Sequence, residues 1–258
     1  MNKIVAFAGK GGVGKTTTLT LFLKYLIEVK KIQDILVIDS DPDANVADVI
    51  GQEVRFGDTI GGKMKVLKDK IQKMKIPPNI PKNQLIESDV YSCIIEMDEF
   101  DLLEMGRSEG EGCYCFINDV LKRVIDTLSK NYEITLLDSP AGLEHFARKT
   151  GRDVTDLVIV TDPSKMGIHT MTRILEIIEE LTLKFENIWV LGNRFPENLH
   201  YVLEKAVNDI QRNNLELLGF IPTDDEISEI NLRGGNLLNI SETNTSYQKA
   251  IKIFKKII

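Results

Sequence analysis

Short apolar runs rich in β-branched residues punctuate the chain: IVAFAG (4–9), ILVID (35–39), ITLLD (134–138), LVIVTD (157–162), IWVLGN (188–193) and LLGFIP (217–222). Between them lie longer stretches with the spacing of amphipathic helices, over 15–30, 117–130, 166–184, 198–213 and 244–258. Strands apolar on both faces, alternating with such helices, predict a mostly parallel sheet with helices on both sides. The expectation is an α/β fold in a single domain spanning 1–258, because no repeat or low-complexity linker interrupts the pattern. The pattern weakens around 52–112, where Pro77, Pro78 and Pro81 lie, and this part reads as an irregular insertion carrying a Cys-x-Cys loop.

Composition changes this picture little. The 258 residues are 43% hydrophobic and 28% charged, ordinary for a globular protein. No apolar run approaches the ~20 residues of a membrane span, and a phosphate-binding motif begins at residue 9, so no secretory leader is expected and the cytoplasm is the natural location. A formal net charge of −7 argues against nucleic acid as a partner, which is held by clustered Lys and Arg. Locally, Lys63, Lys65, Lys68, Lys70, Lys73, Lys75 and Lys82 form a basic stretch answered by an acidic one between Glu87 and Glu111, and both read as solvated faces.

The first strand runs into GKGGVGKTT (9–17), which opens a helix. This fits the phosphate-loop pattern G-x-x-x-x-G-K-[ST], in which backbone N–H groups and the helix N-terminus surround phosphate oxygens. Gly9, Gly11, Gly12, Val13, Gly14 and Thr17 would form the cradle, Lys15 would reach the β- and γ-phosphates, and the Thr16 hydroxyl would ligate Mg²⁺. The second strand ends in DSDPDAN (39–45), where Asp39 and Asp41 at i, i+2 would face the phosphates as metal-assisted hydrolysis requires.

Lys10 makes the loop the deviant form KGGVGKT, and here the sequence resembles the MinD/ParA/nitrogenase iron protein group of ATPases. The resemblance implies a P-loop NTPase fold, ATP and Mg²⁺ as cofactors, and a homodimer in which Lys10 crosses to the partner's nucleotide. It implies that Asp41 activates water and that Asp39 lies near the magnesium. In LLDSPAG (136–142), Asp138 would hold Mg²⁺ through water and Gly142 would sense the γ-phosphate. Asn193 and Arg194 of LGNRF and Pro222 and Asp224 of GFIPTDDE would complete the nucleotide site.

Within the group, two thiols discriminate. Cys113 and Cys115 stand in GEGCYCFIND (110–119), while Cys93 lies in an apolar run and reads as core. The iron protein's cluster needs a second cysteine near Ala141, which this chain lacks. A MinD-like regulatory ATPase remains the alternative, since YQKAIKIFKKII could lie on a membrane, although its stripe of Tyr247, Ile251, Phe254 and Ile258 also suits docking on the sheet. A membrane partner is not expected. DSDPD, CYC and AGLEHFAR (141–148), in that order, resemble the CooC-type accessory ATPases of nickel-containing carbon monoxide dehydrogenase. That resemblance implies nickel insertion into carbon monoxide dehydrogenase or acetyl-CoA synthase. Two thiolates from each subunit of a two-fold dimer would complete a four-sulfur site for Zn²⁺ or Ni²⁺. His145 reads as a switch or packing residue, and His169 and His200 have no motif context.

Overall fold

The computed structural model describes residues 2–41, 45–73, 82–107, 125–140 and 154–258. Among them, eight strands form one sheet in the order β3-β4-β2-β5-β1-β6-β7-β8. The strands are β1 (Lys3–Ala8), β2 (Ile35–Asp39), β3 (Ile95–Glu96), β4 (Asp101–Glu104), β5 (Ile134–Asp138), β6 (Asp156–Thr161), β7 (Asn187–Asn193) and β8 (Leu215–Ile221). All pairings are parallel except β3 with β4. This is the expected α/β P-loop NTPase architecture, and the six strands foreseen from the apolar runs all sit in the sheet.

Both faces of the sheet are buried, which is why those runs are continuously apolar. Ile4, Ala6, Leu36 and Ile38 enter one core, while Val5, Phe7, Ile35 and Val37 enter the other. Helix α1 (Lys15–Tyr25) continues into a single π-turn (Leu26–Lys30), and α5 (Lys165–Glu180), α6 (His200–Asn208), α7 (Asp225–Leu232) and α8 (Thr245–Phe254) follow the later strands. Of the helix expected over 117–130, residues 125–128 are helical and the first part lies outside the described residues.

The region around 52–112 is more regular than its sequence suggested. It holds α3 (Ile60–Gln72), α4 (Lys82–Tyr91), β3 and β4, preceded by the short helix α2 (Val46–Val49). Ile60, Met64 and Leu67 supply a buried stripe, but the lysines interleaved with them hide the period. Strand β4 is part of the core sheet, paired with β2 from Leu36↔Asp101 to Asp39↔Glu104.

Helix α8 docks on the body. Tyr247, Ala250 and Phe254 are fully buried, and the Phe254 ring meets Phe22 of α1 edge-on at 5.0 Å. Tyr25 Oη donates to the Ile258 carbonyl at 3.1 Å and Lys3 Nζ to that of Ile257 at 2.5 Å. The stripe that could have faced a membrane is therefore used inside the protein. Among the described residues, no helix is long and apolar enough to cross a membrane.

Candidate nucleotide site

From β1 the chain moves to one side for β2 to β4, returns to place β5 beside β1, then crosses to the other side for β6 to β8. A ligand crevice forms at the carboxyl ends of strands where the direction of winding changes. Residues 9–14 occupy that point. Gly9 has φ +152°, and an added Cβ would lie 2.2 Å from the Val160 carbonyl oxygen. Gly14, with φ +93°, is the left-handed residue that turns the loop into α1.

Side chains from distant strands hold the loop. Asn193 Nδ2 donates to the Val13 carbonyl at 2.7 Å, and Arg194 Nη2 to that of Gly12 at 2.5 Å. Arg194 itself has φ +59°, an uncommon backbone conformation for a residue with a side chain, and its N–H is bonded to the Ile221 carbonyl at 2.7 Å. The end of β7 thus supports the cradle from outside while lining it.

A row of carboxylates stands below the loop. Asp39 and Asp138 are in register on β2 and β5, and both are fully buried. Thr16 Oγ1 donates to Asp138 Oδ2 at 2.5 Å, while Asp138 Oδ1 is buried with no hydrogen-bond partner. Burial pushes the Asp138 carboxyl up to about 6, against the lowering effects of the Thr16 hydrogen bond and the Lys15 charge. Asp39 is also raised, first by burial and then by Asp138. Its oxygens accept from Asp41 N at 3.0 Å and Val46 N at 2.9 Å, so this carboxylate holds the backbone on both sides of residues 42–44.

These groups surround an open cleft of about 520 Å³, within the usual range for a small-molecule site. Of the residues expected in the site, Gly11, Gly12, Gly14, Lys15, Thr16, Thr17, Asp41, Asn193, Arg194, Pro222 and Asp224 line it. Gly9, Lys10, Val13, Asp39 and Asp138 do not line it but lie in its supporting loop and strand ends. Asp224 is engaged structurally: it caps α7 by accepting from Ile227 N at 3.0 Å and receives Asn244 Nδ2 at 3.0 Å. Burial alone would raise its carboxyl, but these hydrogen bonds outweigh it and the net shift is downward.

Six lining residues lie outside the motifs, namely Thr18, Leu21, Val49, Ile227, Ser228 and Asn231, and Asn45 closes the DSDPDAN run without having been singled out. Asn231 Nδ2 reaches Thr17 Oγ1 at 3.3 Å. Glu104 was also unforeseen; it is buried at the end of β4 beside Asp39, and burial pushes its carboxyl up to about 7.

Cys113, Cys115, Gly142, His145 and the AGLEHFAR segment lie outside the described residues. Among the described residues, no three His, Cys, Asp or Glu are grouped to hold a metal ion. Magnesium in a nucleotide site requires less, commonly one or two carboxylates plus phosphate oxygens and water. Cys93 is buried as expected, its Sγ bonded to the Asp89 carbonyl at 3.2 Å and its thiol pushed up to about 12 by burial. His169 is exposed, and His200 stacks on Phe220 at 3.7 Å.

Comparison with known proteins follows the same outline. The profile of the CobQ/CobB/MinD/ParA nucleotide binding domain matches residues 4–237. An uncharacterized ATP-binding protein of Methanocaldococcus jannaschii is 39% identical over 255 residues, covering 99% of this chain and 98% of its own. The carbon monoxide dehydrogenase accessory protein CooC of Rhodospirillum rubrum is 27% identical over 246 residues, with 92% and 90% covered. A ParA family ATPase from Chlorobium tepidum superposes with a TM-score of 0.69 at 16% identity, covering 98% of each chain.

Proposed function

The chain belongs to the CobQ/CobB/MinD/ParA nucleotide-binding family, a family of P-loop ATPases, and from that premise we propose a Mg-ATP-dependent, dimeric ATPase of the CooC type that assists nickel insertion into carbon monoxide dehydrogenase or acetyl-CoA synthase. The observation that carries the ATPase reading is the Thr16 hydroxyl on Asp138 beside a second, unmatched Asp138 oxygen. A hydroxyl and a carboxylate with a spare buried oxygen suit a hard cation, and the residues that would hold Mg²⁺ are Thr16 and Asp138, with Asp41 at the cleft wall. Bound there, the ion would offset charge building up on the transferring phosphoryl group.

The chain's own residues do the rest. Backbone N–H groups of 11–16 surround the phosphates, and Lys15 supplies a fixed cation. Asp41, held by its N–H on Asp39, orients the attacking water. Asp39 keeps that segment in place. Lys10, partly exposed at the loop's outer edge, would reach a partner subunit's nucleotide. Asp41→Ala is expected to keep ATP affinity within about threefold while turnover falls about a hundredfold or more, the scale of a lost acid–base or positioning group. A phosphate-release assay with Mg-ATP reads this directly, and normal turnover would refute the assignment of Asp41.

The nickel reading rests on Cys113 and Cys115, on AGLEHFAR, and on the relation to the Rhodospirillum rubrum accessory protein. Two subunits would supply four thiolates, enough for Zn²⁺ or Ni²⁺. The purified dimer is expected to bind about one metal ion, more weakly as pH falls because thiolates must be deprotonated. Cys113→Ala and Cys115→Ala should each abolish binding, and Cys93→Ala should not. Metal analysis after gel filtration decides the matter, and one ion per monomer, retained on dilution, would rule out the shared site. The MinD-like alternative stays open as a partner-binding ATPase, but its membrane form is less favoured because in α8 Tyr247 and Phe254 are buried and Ile251 and Ile258 partly so.

A further inference from the structure

Glu104 is a buried carboxylate that the nucleotide chemistry above does not use. It ends β4 directly beside Asp39, and β4 is held there by Met105 N on the Asp39 carbonyl at 2.8 Å. Its Oε1 accepts from Ala47 N at 3.3 Å, next to Val46 N, which is bonded to Asp39 Oδ2 at 2.9 Å. Two carboxylates on adjacent strands therefore take the first two N–H groups of α2 (Val46–Val49). On the other side of α2, Asn45 and Val49 line the nucleotide cleft, as does Asp41 just upstream.

We infer that Glu104 is a positioning residue for ATP hydrolysis, holding α2 so that Asp41 and Asn45 keep their places at the cleft. The electrostatics single it out. Asp39, Asp138 and Glu104 are all buried at neighbouring strand ends, an arrangement that costs free energy through desolvation and mutual repulsion. A residue that only filled space would not need a carboxylate there. An apolar side chain of similar volume at 104 would relieve the cost and leave α2 with one anchor instead of two.

This inference rests on the ATP-hydrolysis reading, and the experiment separates the two. Wild type, Glu104→Met and Glu104→Gln are compared by Mg-ATP turnover, fluorescent-nucleotide affinity and thermal midpoint. Glu104→Met is expected to melt at or above the wild-type temperature and bind ATP within about twofold. Its kcat should fall about ten- to a hundredfold, the scale on which distant misplacement slows chemistry. Glu104→Gln keeps a carbonyl acceptor for Ala47 N–H and should return kcat to within about threefold of wild type. Wild-type turnover in Glu104→Met overturns the inference, as does a Glu104→Gln protein as slow as Glu104→Met. A melting temperature that falls with turnover, or a Glu104→Met protein that does not fold, makes Glu104 structural only and overturns it too. If the wild-type protein itself shows no Mg-ATP turnover, the hydrolysis reading fails before Glu104 is tested.

Discussion

Lys15→Ala is expected to weaken ATP binding by at least about a hundredfold, the equivalent of roughly 3 kcal/mol at tenfold per 1.4 kcal/mol. The side chain is only 8% exposed, at the first turn of α1, with its stem inside the loop that Gly14 turns. Among the described residues, no other lysine or arginine shares that interior position: Lys10 is partly exposed, and Arg194 is exposed and tied to the Gly12 carbonyl. Charge-assisted hydrogen bonds to phosphate in a partly desolvated site are among the strong ones, and losing the cation also leaves the phosphates facing Asp138 and Asp39 uncompensated. Lys15 also lowers the Asp138 carboxyl, so the substitution should push that group further up. Calorimetric titration with ATP and Mg²⁺ measures the affinity, and circular dichroism confirms that the variant is folded. A dissociation constant within threefold of wild type would mean that the phosphates do not sit at this loop.

Gly9→Ala should cost stability rather than affinity alone. At φ +152° a side chain is strained whatever the surrounding space, and here there is no space. The added Cβ would stand 2.2 Å from the carbonyl oxygen of Val160, in the middle of the sheet, where β6 is hydrogen-bonded to β1 and β7. That oxygen belongs to a backbone clamped on both sides, so relief requires shifting a strand. Backbone strain and overpacking each cost about 1–3 kcal/mol, and their sum, about 2–6 kcal/mol, implies a fall in Tm of roughly 4–24 °C for a chain of this size. Gly11→Ala is the control, since nothing lies within 4 Å of its added Cβ, and its Tm should stay close to wild type. Equal melting of Gly9→Ala and wild type would show that β6 yields at no cost.

Legibility in the sequence followed burial on both faces. The strands at 35–39 and 134–138 were readable to the residue because, Thr135 apart, each run is apolar up to its closing aspartate. Strand β4 was not, since Asp101–Glu104 is four residues long with a charge at each end, and its burial comes from neighbours far along the chain. Helix α3 was hidden by lysines placed between Ile60, Met64 and Leu67. In the site, Lys15 and Thr16 announce themselves through the local spacing of the phosphate loop, and Asp138 through the resemblance of LLDSPAG to the family's second switch. Asn231 does not, because its contact with Thr17 spans 214 positions and no local pattern encodes it. Asp224 was read as a nucleotide contact from its place after Pro222, and the structure shows that it lines the cleft and also caps α7.

The strand order has a consequence for how the molecule comes into being. Strand β1 is the hydrogen-bonded neighbour of β5 and β6, and β2 of β4 and β5. The first two strands of the chain never touch each other in the ladder. While the chain is being made, β2 has no partner until residues 101–104 emerge, and β1 has none until 134–138 emerge. Closing loops of that length before any pairing is gained makes parallel sheets slow to form and leaves apolar edges open meanwhile. Refolding from denaturant is therefore expected on the scale of seconds or longer, and the half-made chain is a natural client for chaperones.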